Sequence, residues 1–271
     1  MIRLRPRRKR LMLVTGISGF LGRHLLDASE IGDWELLSPS KAVLDVRQRA
    51  RVLDDIKTWT PNVVVHLAYR RDDRETIVDG TRHVAEAAAA AGSRLIHLST
   101  DVVFAGRDRP YREDDTPDGE SSYGRWKATA EQLVLRAGGN SLIIRTSLLY
   151  GTDHQSPIQR DVAEVLAGRS EMRFFTDEYR CPAHAGDLAA AIVALADRPE
   201  VTGILHVAGP RRLSRADLAR AFAARMDGRS AELTTCSINE SGMSRLANVV
   251  LDCSLANSLG IQCRSVEDAL R

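Results

Sequence analysis

Apolar residues along this chain follow two alternating rhythms. Short runs rich in Val, Ile and Leu, at residues 11–15, 34–37, 62–68, 94–99 and 142–147, read as strands. Between them, residues 81–91 and 123–137 carry apolar positions at helical spacing, and Gly92 stops the first of these stretches. Strands that alternate with helices predict an α/β fold, a doubly wound parallel sheet covered on both faces. After about residue 150 the elements shorten, to 158–167, 172–175, 188–196, 204–208 and 216–226. Ser214 followed three residues later by Asp217 predicts a capped start for the last of them. The pattern therefore divides the chain into a main unit over 11–150 and a smaller C-terminal α/β lobe over 151–271. Some segments of that lobe are expected to return to the main unit, and a ligand is expected in the cleft between them.

Composition narrows the class. Hydrophobic residues are 44% and charged residues 27% of the 271, the balance of a globular chain able to bury a large core. No apolar run approaches the roughly 18 residues of a membrane span, so no membrane partner is expected. The net charge of +2 is uneven, because six of the 38 basic groups stand in the first ten residues, MIRLRPRRKR. A nucleic-acid binder spreads positive charge over a working face. A basic arm at 1–10 is instead expected to be a solvated tail, with no nucleic-acid partner. The arm runs into a glycine-rich motif without a cleavage pattern. Cys181, Cys236, Cys253 and Cys263 form no CxxC pair and no metal-ligand spacing. Both features point to a cytoplasmic protein with reduced thiols and no metal centre. His66, His97 and His206 fall inside strand-like runs and are expected to be packed.

The first strand leads into Gly16-Ile-Ser18-Gly19-Phe20-Leu21-Gly22, and a helix opens behind it. Glycines so placed let the chain turn sharply and approach a pyrophosphate, which the free N–H groups of the helix start then hold. Residues 11–150 are therefore expected to be a dinucleotide-binding domain. An acidic residue after the second strand would hold a ribose 2′-hydroxyl and repel a 2′-phosphate. This chain has Ser38-Pro-Ser40-Lys41 there, which favours NADP(H) and leaves NAD(H) as the alternative. Asp45 and Val46 are placed to touch the adenine.

Candidate chemistry sits at Tyr123-Gly-Arg-Trp-Lys127. Residues four apart share a helix face, so phenol and ammonium can point into one cleft. A neighbouring cation favours the ionised phenol, and such a pair can exchange a proton with a carbonyl or alcohol. Upstream, the strand at 94–99 ends in Ser99-Thr100, whose hydroxyl can donate to a reacting carbonyl oxygen.

The glycine loop, Leu-Ser-Thr-Asp-Val-Val-Phe at 98–104, Pro-Tyr-Arg-Glu-Asp at 110–114, Tyr123-Gly-Arg-Trp-Lys127 and Ile-Arg-Thr-Ser-Leu-Leu-Tyr-Gly at 144–151 together resemble the extended short-chain dehydrogenase/reductase family. Within it the chain looks most like the sugar-nucleotide-binding branch of the dTDP-4-dehydrorhamnose reductases, over nearly all residues after 10. The resemblance implies a Rossmann domain with a substrate lobe. It also implies reduction of a nucleotide-linked 4-keto-6-deoxy sugar by NAD(P)H. Carried over by position, Thr100 would polarise the carbonyl and Tyr123 would supply the proton. Lys127 would lower the tyrosine pKa and hold the nicotinamide ribose. Leu67, Ala68 and Tyr69, with Thr146 and Ser147, would line the cofactor. Val103 and Phe104 would meet the substrate, and Arg180, with Arg145 second, would grip its diphosphate.

The chain departs from the family pattern at Ile77, where an asparagine is usual, at Tyr69-Arg-Arg-Asp-Asp73, and at Arg180-Cys-Pro-Ala183. Val102 follows Thr100-Asp101 where the sugar-nucleotide dehydratases carry a glutamate, and valine cannot exchange a proton, so dehydration is not expected. Two other readings stay open. One is an epimerase with retained NAD. The other is a non-catalytic NADP-binding subunit like the regulatory subunit of methionine adenosyltransferase, which resembles the same branch. A homodimer is the default expectation for such a protein.

Overall fold

The structure is a computed structural model that describes residues 10–29, 34–227 and 233–271; residues 1–9 of the basic arm lie outside the described residues, and its last residue, Arg10, begins the first strand and pairs with Asp197 at 2.6 Å instead of lying in a solvated tail. Five strands arise where the apolar runs predict them: β1 (Arg10–Thr15), β2 (Trp34–Leu37), β3 (Val63–His66), β4 (Arg94–Thr100) and β5 (Ser141–Thr146). With a sixth strand, Gly203–His206, they form one parallel sheet. From one edge the order is β2, β1, β3, β4, β5 and then Gly203–His206. The chain steps outward from β1 in both directions, so the loops after β1 and β3 diverge and open a crevice at the carboxyl edge.

Alternate residues of each strand face opposite layers, and both layers are apolar. On one side Met12, Val14, Val63, Val65, Ile96, Leu142 and Ile144 pack against α1 (Phe20–Ser29) and the later helix Ala185–Ala196. On the other, Leu13, Val64, Leu95 and Ile143 meet α2 (Arg49–Trp59), α3 (Gly80–Ala90) and α4 (Ser122–Ala137). Residues from beyond 150 thus supply a sheet strand and a covering helix. Several of the other C-terminal elements gather round a separate cluster that includes Tyr150, Ile158, Val162, Phe174 and Phe222, while Ala256 and Ile261 return to the sheet-domain core. The helix Arg215–Asp227 starts as its sequence predicts, with Ser214 Oγ accepting from the Asp217 N–H at 3.0 Å. The four cysteines are free thiols. Among the described residues, no helix is long and apolar enough to cross a membrane.

Candidate active site

β1 delivers Thr15 to the carboxyl edge, and the chain turns there through Gly16, whose φ is +79°. A Cβ at Gly16 would stand 2.6 Å from the Ala68 backbone nitrogen, so only glycine lets the chain leave β1 so close to the end of β3 before the two loops part. A cavity of about 390 Å³ lies above this point. Gly16, Ser18, Gly19, Ser38, Ser40, Lys41, Asp45, Val46, Leu67, Ala68 and Tyr69 line it, as does Arg70. Its one carboxylate among the described residues, Asp45, is bound in a fork by Arg47, with Nη2 to Oδ2 at 2.6 Å. That hydrogen bonding holds the Asp45 carboxyl below its ordinary range.

A second cavity, of about 340 Å³, continues from the first, sharing Gly16, Gly19, Leu67 and Tyr69. It is lined by Phe20, Leu21 and Gly22 on α1 and its lead-in, by Thr100 at the end of β4, and by Tyr123 and Lys127 on α4. Thr146 and Ser147 after β5 complete that side. Every residue that the sequence assigns to catalysis or cofactor therefore lies along one continuous groove. The start of α4 explains how. Ser121 Oγ accepts from the Gly124 N–H at 3.0 Å, and a Cβ at Gly124 would lie 2.2 Å from the Val102 carbonyl oxygen. Glycine at that position lets α4 press on the end of the active strand, which brings Tyr123 beside Thr100.

The electrostatics differ from expectation at one point. Burial raises the Tyr123 pKa, Tyr69 adds to the rise, and Arg71 and the neighbouring Thr100 hydroxyl oppose it. The Arg71 guanidinium stands over the Tyr123 ring, 5.3 Å from its centroid. Lys127, expected to lower the tyrosine pKa, instead donates to His97 Nε2 at 3.1 Å and to the Leu98 carbonyl at 2.6 Å. Burial pushes Lys127 down to about 8, against the pull of Glu131. Beside Thr100, the buried Asp101 accepts from Ser147 Oγ at 2.6 Å. Its carboxyl is raised by burial and lowered in part by Arg180.

The four expected substrate contacts are placed elsewhere. Val103 and Phe104 are fully buried, and Phe104 stacks on Tyr111 with ring centroids 3.9 Å apart; it is their neighbour Val102 that lines the cavity. Arg145 is 1% exposed and spends its guanidinium on Glu131, a buried carboxylate one turn beyond Lys127 on α4. A buried charge needs such a partner, and Glu131 supplies it from the same helix face as Tyr123 and Lys127. Arg180 is also buried, and its Nη1 donates to the Tyr179 and Leu246 carbonyls at 2.7 and 2.8 Å. It backs the site and does not line it.

In its place a third cavity, about 590 Å³, opens beside the second and shares Ile158 and Arg215 with it. Arg215 and Arg245 line it together with Phe174, Phe175, Met172 and Met243. Both arginines are anchored by the buried Glu178, at 2.9 Å and 2.7 Å. Burial alone would raise the Glu178 pKa, but Arg215, Arg180 and Arg245 hold it below its ordinary value. Sequence reasoning missed Arg215 and Arg245, since nothing local separates them from 32 other arginines. Arg70 and Arg71 stood in a segment already noted as unusual.

Comparison with known proteins gives this groove a context. The chain is 28% identical to methionine adenosyltransferase 2 subunit beta of Bos taurus, over 94% of its own length and 84% of that protein's. It is 32% identical to a dTDP-4-dehydrorhamnose reductase of Mycolicibacterium smegmatis, over 78% of the chain and 67% of the relative. Its fold matches the crystal structure of dTDP-4-dehydrorhamnose reductase from Bacillus anthracis in complex with NADP, with a TM-score of 0.87, 24% identity and 97% of each chain covered. The model of the RmlD substrate binding domain matches residues 9–271. The chain, from the glycine loop to its last helix, belongs to the RmlD substrate binding domain family.

Proposed function

We propose that the chain is an NADPH-dependent reductase of a nucleotide-linked 4-keto-6-deoxy sugar, acting as its relatives named dTDP-4-dehydrorhamnose reductase do. The observation that carries this reading is the assembly of Thr100, Tyr123 and Lys127 on a cavity that runs on from the glycine loop. The lining fits a nicotinamide dinucleotide. Thr146 Oγ1 is buried in it without a protein partner, which marks a polar contact left for a ligand. Ser38, Ser40, Lys41 and Arg70 offer two hydroxyls and two cations at the adenosine end, and Asp45 is already neutralised by Arg47. That balance favours the extra phosphate of NADP(H), with NAD(H) as the weaker ligand.

A nicotinamide bound there supplies the hydride for the sugar carbonyl carbon. Tyr123 is kept protonated at neutral pH by its burial, the form a proton donor needs, and gives that proton to the carbonyl oxygen. Thr100, at the tip of β4, steadies the same oxygen by donating to it. Lys127, which lines the cavity, would hold the nicotinamide ribose. Arg215 and Arg245 meet the diphosphate, held in place by Glu178, and the apolar wall of Phe174, Phe175 and Met172 receives the base.

The test is NADPH oxidation against a panel of nucleotide-linked keto sugars, with turnover expected on a 4-keto-6-deoxy member. A second reading, a subunit that binds NADP without turning over, is favoured by the 28% identity to methionine adenosyltransferase 2 subunit beta. No turnover on the panel, together with a stable complex with a methionine adenosyltransferase, would replace the first reading by the second.

A further inference from the structure

Two histidines lie stacked under the floor of the groove, with ring centroids 5.3 Å apart, and they are satisfied in opposite ways. His66, on β3, is bonded at both nitrogens, Nδ1 to Thr15 Oγ1 at 2.7 Å and Nε2 to Thr81 Oγ1 at 3.0 Å. That is how a histidine with a purely architectural part is held. His97, its neighbour on β4, is 1% exposed, and its Nδ1 is buried without any partner. Its one hydrogen bond runs from Lys127 Nζ to Nε2. An ammonium can only donate, so Nε2 is the lone-pair nitrogen and the ring proton sits on Nδ1. The fold leaves that N–H unpaired, so that the other nitrogen can face the lysine.

Lys127 needs this acceptor. It is 4% exposed, and a buried ammonium persists only with partners for its N–H groups. Two are in place, His97 Nε2 and the Leu98 carbonyl, which leaves one N–H for whatever enters the cavity that Lys127 lines. The other titratable groups around it are Glu131, one turn further along α4, Tyr123, one turn before, and His66 behind His97. Glu131 is bonded by both Arg145 and Ser99, so its charge is already shared. Both histidines are held neutral by burial, with the Lys127 charge adding to the effect.

We infer that His97 is the positioning residue of Lys127: as a neutral acceptor at Nε2 it fixes the ammonium at the cavity wall and keeps it charged. The residue has no contact with the reacting atoms. In the proposed reductase it would act through Lys127 alone, and only that catalytic consequence rests on the functional reading above.

The lysine count makes a direct test practicable, since the chain has only Lys9, Lys41, Lys57 and Lys127. In protein labelled with ¹³C at lysine Cε, NMR titration should show one resonance, absent in Lys127→Met, that titrates near 8. In His97→Leu that midpoint should fall further, by about one pH unit or more, because the ammonium has lost half of its acceptors. His97→Gln, whose amide oxygen can accept in the same direction, should restore most of the difference. If the reductase reading holds, the alkaline limb of kcat should move to lower pH in His97→Leu and return in His97→Gln, with KM for NADPH changed less than threefold. Should the leucine variant not fold, the glutamine variant decides. A Lys127 midpoint in His97→Gln displaced as far as desolvation alone would carry it, or one in His97→Leu unchanged from the parent, overturns the assignment. The titration reads Lys127 whether or not any keto sugar is turned over.

Discussion

Tyr123 shows what residue chemistry dictates and what the surroundings add. Its type and its spacing from Lys127 are visible in the sequence because proton transfer admits few side chains. Its protonation state was not visible, because burial is a property of the assembled cleft. A phenol held protonated is a donor, so Tyr123→Phe should retain NADPH binding, read by fluorescence titration, while turnover falls by about 10²- to 10⁴-fold. A variant within threefold of the parent would remove Tyr123 from the reaction. Lys41 belongs to the same scale. Lys41→Ala should weaken NADPH binding about tenfold and leave NADH nearly unchanged, with each Kd measured on the intact protein. The misplaced substrate residues have a common cause. Arg145 and Phe104 are large and sit next to active-site motifs, but their partners, Glu131 and Tyr111, come from other elements and draw them into the core.

At the scale of elements, the strands were legible because buried parallel strands are continuous apolar runs. The helix over 49–59 was not, since RARVLDDIKTW buries only Val52 and Ile56 and shows little periodicity. The two-residue strands of the second lobe, such as Phe174–Phe175 and Tyr179–Arg180, are too short to have a period at all. The junction between β4 and α4 is the element contact on which the chemistry depends. Gly124→Ala would push a methyl group into the Val102 carbonyl, so helix and strand must separate. The expected result is a loss of about 1–3 kcal/mol in denaturant unfolding, the usual cost of overpacking. Turnover should fall more than that stability loss alone would suggest. Full activity in a folded Gly124→Ala protein would show that the contact does not set the Tyr123 position.

Across the whole molecule, Glu178 gathers Arg180, Arg215 and Arg245 within the lobe, and Arg180 reaches on to Asp101 at the end of β4. Its carboxyl lies below its ordinary value in the folded protein. The stability it contributes is therefore present above the unfolded value, about 4.3, and is lost as pH falls through the lower folded value. Glu178→Gln should cost about 3–5 kcal/mol at pH 7, because three guanidinium groups lose a buried counter-charge. The gap between the thermal melts of parent and variant should be smaller at pH 3 than at pH 7. An equal gap at both pH values would show that the carboxylate charge is not what holds these elements together.

The strand Gly203–His206, which covers the free side of β5, has one more consequence. On the ribosome, β5 is finished almost sixty residues before its neighbour exists. At about 5–20 residues per second, the nascent protein carries an open strand edge, apolar over Leu142, Ile143 and Ile144, for several seconds. Such an edge is a template for pairing with another chain. The interval between residues 146 and 203 is thus the period in which a newborn copy is most exposed to aggregation and most dependent on chaperones. A circular permutant that begins near residue 200 would be made with that strand first, and its edge would be covered as soon as β5 emerged.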